Sequence, residues 1–395
     1  MWRIIAIACL IQATATSEVF TRRKRDVNPE CHMNVSQLIS YCGYPNEKYE
    51  VLTADGYYLT INRIPSGAGN HVVKGGKPAV LLIHGLLAEA RSWIINMPRN
   101  SLGFVLADAG YDVWLGNCRG TTWSKKHQTL LDNQDEFWDF SFHEIAMYDL
   151  PAMINFILKK TGQKQLYYVG HSQGTTVGFI AFSVMPELSQ KIKMFVALAP
   201  VVSIKHVSVP MLKLLSSLPE HTAKDIFGNK SYSLFNKSTR NFFIKLCSSG
   251  FMNKLCASTV YFAFGLNMKN LNVSRIDVLI SIFPDTTSIK TLIHWKQTRE
   301  SGFRYFDYRS ENQVKYNQSC PPPYKIEDMT VPVVAWSGAK DVFASPEDTK
   351  NLLPRISNLV YHHCVPGWDH FDFIGNLNVT RLIYYKIIEF MGKSP

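Results

Sequence analysis

The sequence lacks any apolar run long enough to cross a membrane. Its N-terminal run, Ile4 to Ile11, falls well short of the roughly 20 apolar residues that a spanning helix needs, and no later stretch qualifies. The charge of Arg3 before this run and the small residues of 13–17 after it are typical of a secretory signal peptide. We therefore interpret residues 1–17 as a signal peptide and expect the mature protein to be soluble.

Metal-binding patterns are also absent from the sequence. None of the eight cysteines forms a Cys-x-x-Cys pair, and none joins histidines at the spacing of a zinc site. We therefore expect neither a metal nor any other cofactor. Cys9 leaves with the signal peptide, and the odd number that remains implies at least one free or intermolecular thiol in an oxidising compartment.

The net charge of +11 is poorly explained by nucleic-acid binding. Lysines and arginines are scattered without interleaved aromatic residues, although a mild attraction to anionic lipid surfaces is compatible with them. The basic run 22–25 has two explanations: a cleaved basic propeptide over 18–25, or a solvated tail.

Six Asn-x-Ser/Thr sequons fit passage through the endoplasmic reticulum; they are Asn34, Asn229, Asn236, Asn272, Asn317 and Asn378.

The middle of the chain alternates apolar strands with helices. Continuous apolar runs that end at glycine or proline predict strands, and segments with a helical period predict helices. Buried strands that alternate with helices imply a parallel sheet covered on both faces. In chain order the predicted elements are strand 78–83, strand 111–115, helix 148–160, strand 166–169, helix 175–185 and strand 194–198.

The alternation stops after Pro200. Residues 201 to about 325 combine short helical stretches, apolar-aromatic segments, many polar turns and four of the six sequons. The α/β pattern then resumes with strand 331–336, helix 346–353, strand 359–365 and helix 379–391. The simplest topology is one α/β domain with a helical insertion after its middle strand.

The pentapeptide Gly170-His171-Ser172-Gln173-Gly174 lies between a predicted strand and a predicted helix. Strand, tight turn and helix are the context of a nucleophile elbow, in which the glycines allow a strained turn that exposes the serine hydroxyl. A bystander serine between two convenient glycines is the alternative. The context favours Ser172 as a nucleophile.

A serine nucleophile needs a histidine base beyond the last strand. His370 follows the strand 359–365 after a turn and is the candidate among twelve histidines. His171 adjoins the nucleophile and is expected to point away from it, and His84 lies in an early loop. His362 and His363 lie inside a predicted strand, where a structural role is the better interpretation.

The acid that orients the base should follow an earlier strand, in the chain order Ser, acid, His. Asp341 comes just after the strand 331–336 and is favoured. Asp369 and Asp372 are the rivals, but a near neighbour of His370 has poor geometry for the distal ring nitrogen.

The oxyanion hole needs two backbone N–H groups: one from the residue just after the nucleophile and one from the loop after an early strand. These positions predict Gln173 and Leu86 as the donors.

These features together resemble the acid lipases of the gastric and lysosomal lipase group. The resemblance covers nearly everything after the basic run, including "DGYYLTINRIP", "HGLLAEARSW", "VGHSQGTT", "LNVSRIDV" and "YNQSCPPPY". It implies an α/β-hydrolase fold with a mainly parallel sheet, in which residues 26–200 and 326–395 form the core and 201–325 form a helical cap with a lid. It also places the triad on Ser172, Asp341 and His370 and the oxyanion donors on Leu86 and Gln173.

The resemblance implies hydrolysis of triacylglycerols or cholesteryl esters. The expected partner is neutral lipid at a lipid–water interface, with only peripheral contact to lipid surfaces, and no nucleic acid is expected as a partner. We expect the chain to act as a monomer, either secreted or in the lysosomal lumen. A lipid carrier without activity, on a lipase scaffold, is the alternative. The lid hypothesis rests on apolar stretches of the insertion, namely 242–244, 251–252 and 260–264.

A disulfide between Cys247 and Cys256 is predicted, because the intervening loop is short and the resembled gastric lipase has a cap disulfide at this spacing. Cys42, Cys118 and Cys364 lie in apolar stretches of the sequence and are predicted to be buried thiols.

The sequence departs from the family pattern at a few positions. Ala339 stands where a second glycine is usual, Cys42 where a tryptophan is usual, Cys118 where a serine is usual, and Pro284-Asp-Thr-Thr287 where Pro-Ala-Gly-Thr is usual.

Overall fold

A computed structural model describes residues 27–69, 76–209, 230–233, 235–248, 252–264, 270 and 272–394, with the side chains of 259–264 excluded. The predicted signal peptide, the basic run, Asn229 and much of the predicted lid lie outside the described residues. Within these ranges, no helix combines the length and the apolar character that a membrane span requires.

A large mixed sheet forms the centre of the fold. Six of its strands run parallel in the order β4-β3-β6-β7-β10-β11, which agrees with the predicted parallel sheet. Two short strands, β8 and β9, pair in the insertion. The strands are β1 (Glu47–Leu52), β2 (Tyr57–Ile64), β3 (Ala79–Ile83), β4 (Asp112–Gly116), β5 (Lys126–His127), β6 (Leu166–His171), β7 (Ile192–Leu198), β8 (Ser231–Tyr232), β9 (Thr287–Ser288), β10 (Val333–Gly338) and β11 (Leu359–Val365).

The antiparallel edge β1-β2, with β5 on β2, has no counterpart among the predicted elements. Strand β1 alternates half-buried and exposed side chains up to Val51, because one of its faces meets solvent. Such a strand lacks the continuous apolar run that marks the buried parallel strands, in which every residue of β3, β4, β6 and β10 is buried.

Helices cover both faces of the sheet and build the insertion. The helix predicted to begin at Thr175 begins directly after the elbow, at Gln173. The α-helices are α1 (Val35–Tyr41), α2 (Leu102–Asp108), α3 (Phe142–Glu144), α4 (Leu150–Thr161), α5 (Gln173–Val184), α6 (Pro186–Ser189), α7 (Lys237–Ser248), α8 (Met252–Phe264), α9 (Ile276–Ile282), α10 (Ile289–Ser301), α11 (Asn312–Tyr316), α12 (Pro346–Leu352), α13 (Asp372–Gly375) and α14 (Tyr385–Lys393); π-helical turns Ile145–Asp149 and Thr380–Tyr384 precede α4 and α14.

Polar side chains join the segments of the insertion to one another and to the core. The Arg240 guanidinium on α7 donates to the carbonyls of Ile280 and Pro284, at 3.0 and 2.6 Å. Arg275 donates to the Ile95 carbonyl at 2.8 Å and forms an ion pair with Glu30. These bonds satisfy main-chain oxygens at helix ends and in loops. Those of Arg240 lie within the insertion, and those of Arg275 join it to Ile95 and Glu30 of the core.

The cysteines divide into three groups. A disulfide joins Cys247 of α7 to Cys256 of α8, as predicted, with 5.6 Å between the Cα atoms. Cys118 is buried and Cys42 is half-buried. The prediction that Cys364 is buried is wrong: it is exposed, because β11 is the edge strand of the sheet and several of its side chains face solvent.

The sequons in the described chain are all accessible to some degree. Asn236, Asn317 and Asn378 are exposed, whereas Asn34 and Asn272 are half-buried. Asn34 also caps α1, since its side chain accepts from the Gln37 N–H.

Candidate active site

Ser172 lies at the sharp turn between β6 and α5. Its backbone has φ +55° and ψ −123°, a strained conformation for a residue with a Cβ. The turn is held by the Ser172 N–H, which donates to the Leu198 carbonyl at 3.0 Å, and by its carbonyl, which accepts from the Thr175 hydroxyl at 2.7 Å. This geometry is that of a nucleophile elbow.

Two glycines make room for this turn. A Cβ on Gly174 would overlap the carbonyl oxygen of Ile83, so α5 can pack this closely on β3 only with glycine here. A Cβ on Gly85 would lie 2.9 Å from the Ser172 Cβ and 3.3 Å from its Oγ. The loop after β3 therefore passes directly over the serine.

The imidazole of His370 joins Ser172 to Asp341. Its Nε2 lies 2.7 Å from the Ser172 Oγ, and its Nδ1 lies 2.8 Å from Asp341 Oδ2. The other Asp341 oxygen accepts from the backbone N–H groups of Phe343 and Ala344, at 2.9 and 2.8 Å. The carboxylate is thereby fixed in position, and both it and the imidazole are buried. The three side chains form a hydrogen-bonded series with the order that a serine hydrolase requires.

The two rival carboxylates have different partners. Asp369 Oδ1 accepts from the N–H groups of Phe371 and Asp372, at 2.9 and 3.2 Å. Asp372 accepts from the Asp369 N–H at 2.7 Å and from the Asn270 and Asn376 amides at 3.0 Å. Both acids therefore brace the loop that carries His370, and the His370 Nδ1 is bonded to Asp341.

Two further buried histidines hold the backbone of the loops around the site. His171 Nε2 lies 2.9 Å from the His370 carbonyl oxygen. Burial, reinforced by the neighbouring His370, lowers the pKa of His171 to about 3, so its neutral ring donates this bond. His84 is buried with a lowered pKa; its Nδ1 contacts the Gly85 carbonyl at 2.9 Å and its Nε2 accepts from the Cys118 N–H at 3.2 Å. His171 therefore holds the backbone of His370, and His84 braces two loops.

The predicted oxyanion donors lie in the two segments that meet at Ser172, the helix that follows it and the loop after β3. Gln173 is the first residue of α5, and Leu86 follows Gly85 in a turn that the Ala88 N–H closes on the Gly85 carbonyl at 3.2 Å. Within the described residues, neither the Leu86 N–H nor the Gln173 N–H donates to a protein acceptor. Free N–H groups near a serine on a strained turn, one of them at a helix N-terminus, have the character that an oxyanion hole requires.

Comparison with known proteins identifies the family of the chain. A family model described as the alpha/beta hydrolase fold matches residues 78–377, and one described as a partial alpha/beta-hydrolase lipase region matches residues 35–97. The chain is 50% identical over 390 residues to the lysosomal acid lipase/cholesteryl ester hydrolase of Macaca fascicularis, covering 98% of each chain. It is 46% identical over 397 residues to human gastric triacylglycerol lipase, covering 100% of each chain.

The chain belongs to the acid lipase family.

Solved structures agree on the fold of this acid lipase. The alpha/beta hydrolase GrgF from Penicillium sp. sh18 aligns with a TM-score of 0.54 at 14% identity, over 89% of this chain and 99% of that one. A likeness at this identity concerns the fold alone, and it confirms the predicted α/β-hydrolase fold.

The candidate site includes one residue, Trp295, that the sequence did not single out. Trp295 on α10 donates from its indole Nε1 to the Gln173 side-chain oxygen at 2.8 Å, so the insertion reaches the residue that follows the nucleophile. Ala339, which departs from the family pattern, is exposed and is not among the residues with positive φ. The turn before Asp341 therefore tolerates alanine, and its N–H still donates to the Val365 carbonyl at 3.0 Å.

Proposed function

We propose that this acid lipase hydrolyses fatty-acid esters of neutral lipids, triacylglycerols or cholesteryl esters, through an acyl-enzyme intermediate. The observation that carries the proposal is the series from Ser172 Oγ through the His370 ring to Asp341, with bonds of 2.7 and 2.8 Å on a strained turn. A structural serine has no need of this strain or of a buried imidazole–carboxylate pair.

In the first half-reaction, His370 Nε2 takes the proton of the Ser172 hydroxyl as Oγ attacks the ester carbonyl carbon. The Leu86 and Gln173 N–H groups stabilise the oxyanion of the tetrahedral intermediate. The ester C–O bond then breaks, and the imidazolium returns its proton to the leaving alcohol oxygen, which leaves the fatty acyl group on Ser172. Asp341 stabilises the imidazolium throughout.

In the second half-reaction, His370 takes a proton from a water molecule, which attacks the acyl-enzyme carbonyl. The same two N–H groups hold the second oxyanion. Collapse of this intermediate breaks the bond between the acyl carbon and Oγ, and the proton on Nε2 returns to Ser172. The products are a free fatty acid and the original enzyme.

The substrate class is supported by the names of the relatives, which are a cholesteryl ester hydrolase and a triacylglycerol lipase. Such esters are presented at a lipid–water interface. Phe242 and Leu255 on the insertion are exposed, at 58% and 42%, and apolar side chains of this kind are suited to peripheral contact with that interface. The proposed enzyme works there as a monomer.

We place the enzyme outside the cytoplasm, secreted or in the lysosomal lumen. The apolar N-terminal run, the sequons on the surface and the disulfide of the insertion are all consistent with the secretory pathway. Glycans on Asn236, Asn317 and Asn378 would be accommodated without disturbing the core, since these residues are exposed.

Labelling with a fluorophosphonate tests the activity, because this reagent reacts preferentially with an activated serine; the absence of label in Ser172→Ala identifies the labelled residue. We expect Ser172 to be labelled and the protein to hydrolyse emulsified triolein, cholesteryl oleate or both, measured across acidic and neutral pH beside a short soluble ester. A folded protein that binds lipid but is neither labelled nor active would be a lipid carrier, which contradicts the proposal.

A further inference from the structure

A buried aspartate of the insertion lies against the proposed oxyanion loop. Asp285 is 3% exposed, and its backbone N–H donates to the Leu87 carbonyl at 2.6 Å. Leu87 itself has φ +57°, an unfavourable conformation for a leucine that surrounding contacts must hold. Asp285 therefore holds the Leu87–Ala88 peptide, and the N–H of that same peptide closes the turn onto the Gly85 carbonyl in which Leu86 lies.

The Asp285 side chain is anchored to the loop after β4. One carboxylate oxygen accepts from the Thr122 N–H at 2.9 Å, and the other accepts from the Thr122 hydroxyl at 2.5 Å. Two bonds from one residue fix the carboxylate in both distance and orientation. Because the Asp285 side chain is held in this way, the Asp285 backbone N–H is also held in position to donate to the Leu87 carbonyl.

The electrostatic surroundings of Asp285 include both signs of charge. Burial and the negative charge of Glu89 raise the pKa of its carboxyl, whereas the Thr122 bonds and Lys125 lower it. Arg240 on α7 also interacts with it electrostatically. A hydroxyl can donate to a carboxylate or accept from a carboxyl group, so the Thr122 anchor persists in either protonation state.

We propose that Asp285 is a positioning residue for the oxyanion hole: by bonding Thr122 through its side chain and Leu87 through its backbone, it fixes the Leu86 N–H beside Ser172. This inference rests on the proposed function, since it assigns the Leu86 N–H a catalytic task. Asp285 stands where the resembled family pattern has alanine, and an alanine side chain could not make the two Thr122 bonds.

Replacement of Asp285 by alanine tests the proposal, with asparagine as the conservative variant. Asp285→Ala removes both Thr122 bonds and should lower kcat on a short soluble ester about tenfold, with KM within about twofold, because a displaced oxyanion donor acts mainly in the transition state. Asp285→Asn keeps an acceptor for the Thr122 N–H and a donor for its hydroxyl, so kcat should stay within about threefold of wild type.

Thr286→Val provides the matched control. The Thr286 hydroxyl donates to the Gly120 carbonyl at 2.6 Å and so joins the same two segments without involving Leu87 or Thr122. This variant should lose thermal stability comparably to Asp285→Ala but retain kcat. If Asp285→Ala does not fold, Thr122→Val, which removes the hydroxyl bond alone, should lower kcat about threefold.

Three results would overturn the inference. They are a kcat for Asp285→Ala within about twofold of wild type, equal losses of kcat in Asp285→Ala and Thr286→Val, and no rescue by asparagine. A wild-type protein that is neither labelled by fluorophosphonate nor active would remove the proposed function and this inference together. A labelled, active wild type beside an unaffected Asp285→Ala would remove the inference alone.

Discussion

The core and the insertion are stabilised in different ways. In the core, Ser172, Asp341 and His370 each follow a parallel strand, and the main chain of the sheet sets the distances between them. In the described part of the insertion, helices predominate, and side-chain bonds such as those of Arg240 and Trp295 join them to their neighbours. The sheet therefore fixes the Ser172, Asp341 and His370 side chains, and the insertion contacts the residues around them, as Trp295 does at Gln173.

The largest expected effect comes from the core. Ser172→Ala, His370→Ala and Asp341→Asn should each lower kcat by roughly 10³ or more on any ester, because triad members act as a unit, with Asp341→Asn the least severe. Each variant should keep the thermal stability of the fold within about 2 kcal/mol, measured by thermal unfolding beside the kinetics.

Asp369→Asn is the control for the choice of acid. This residue braces the His370 loop through the N–H groups of Phe371 and Asp372, so its replacement should cost stability more than activity. An Asp341→Asn protein near wild type beside an inactive Asp369→Asn protein would reverse the assignment.

The same contrast explains what the sequence could predict. Ser172, Asp341 and His370 could be found because each lies just beyond an apolar run, and chain order limits the candidates. The contacts of Trp295 with Gln173 and of Asp285 with Thr122 could not be predicted, since no motif or strand end marks these residues and their contacts depend on how the insertion packs against the core. The predicted burial of Cys364 is wrong because apolar neighbours in the sequence do not distinguish an edge strand from a central one.

The next largest effect concerns the disulfide of the insertion. Replacing Cys247 and Cys256 together by serine should lower stability by about 2.5 kcal/mol, the loop-closure contribution for a bridge of this short separation. The loss should appear as earlier melting of the insertion, while fluorophosphonate labelling of Ser172 at low temperature is retained.

Cys364→Ser is the matched control for a thiol that faces solvent, and it should change stability by less than about 0.5 kcal/mol. Peptide mapping without reductant provides a direct check of the bridge. Alkylation of both Cys247 and Cys256 in the native protein would contradict it.

A smaller effect should separate the surfaces of the two regions. Phe242→Ser removes an exposed aromatic ring from α7, which should lower the rate on emulsified triolein about fivefold through weaker apolar contact with the interface. The rate on a dissolved short ester should not change. Tyr385→Ser, at an equally exposed ring on α14 of the core, should leave both rates unchanged. Equal losses of rate for Phe242→Ser on both substrates would mean that this ring has only a structural role and does not contact the interface.

The smallest effect is a pH dependence of stability at the junction of the two regions. Burial raises the pKa of Asp285 above its ordinary value of about 3.9, so the folded protein binds this proton more tightly than the unfolded chain. Below about pH 4 the carboxyl is protonated in both states, and wild type and Asp285→Asn should differ by a constant amount. As the pH rises through the raised pKa, wild type alone must ionise a buried group beside Glu89 and should lose stability relative to Asp285→Asn. Melting temperatures of the two proteins over a pH series measure this difference, with Thr286→Val as a control whose offset from wild type should not vary with pH. An offset that moved in favour of aspartate at higher pH would mean that Lys125 and Arg240 outweigh burial, and that the carboxylate is the stable form at this junction.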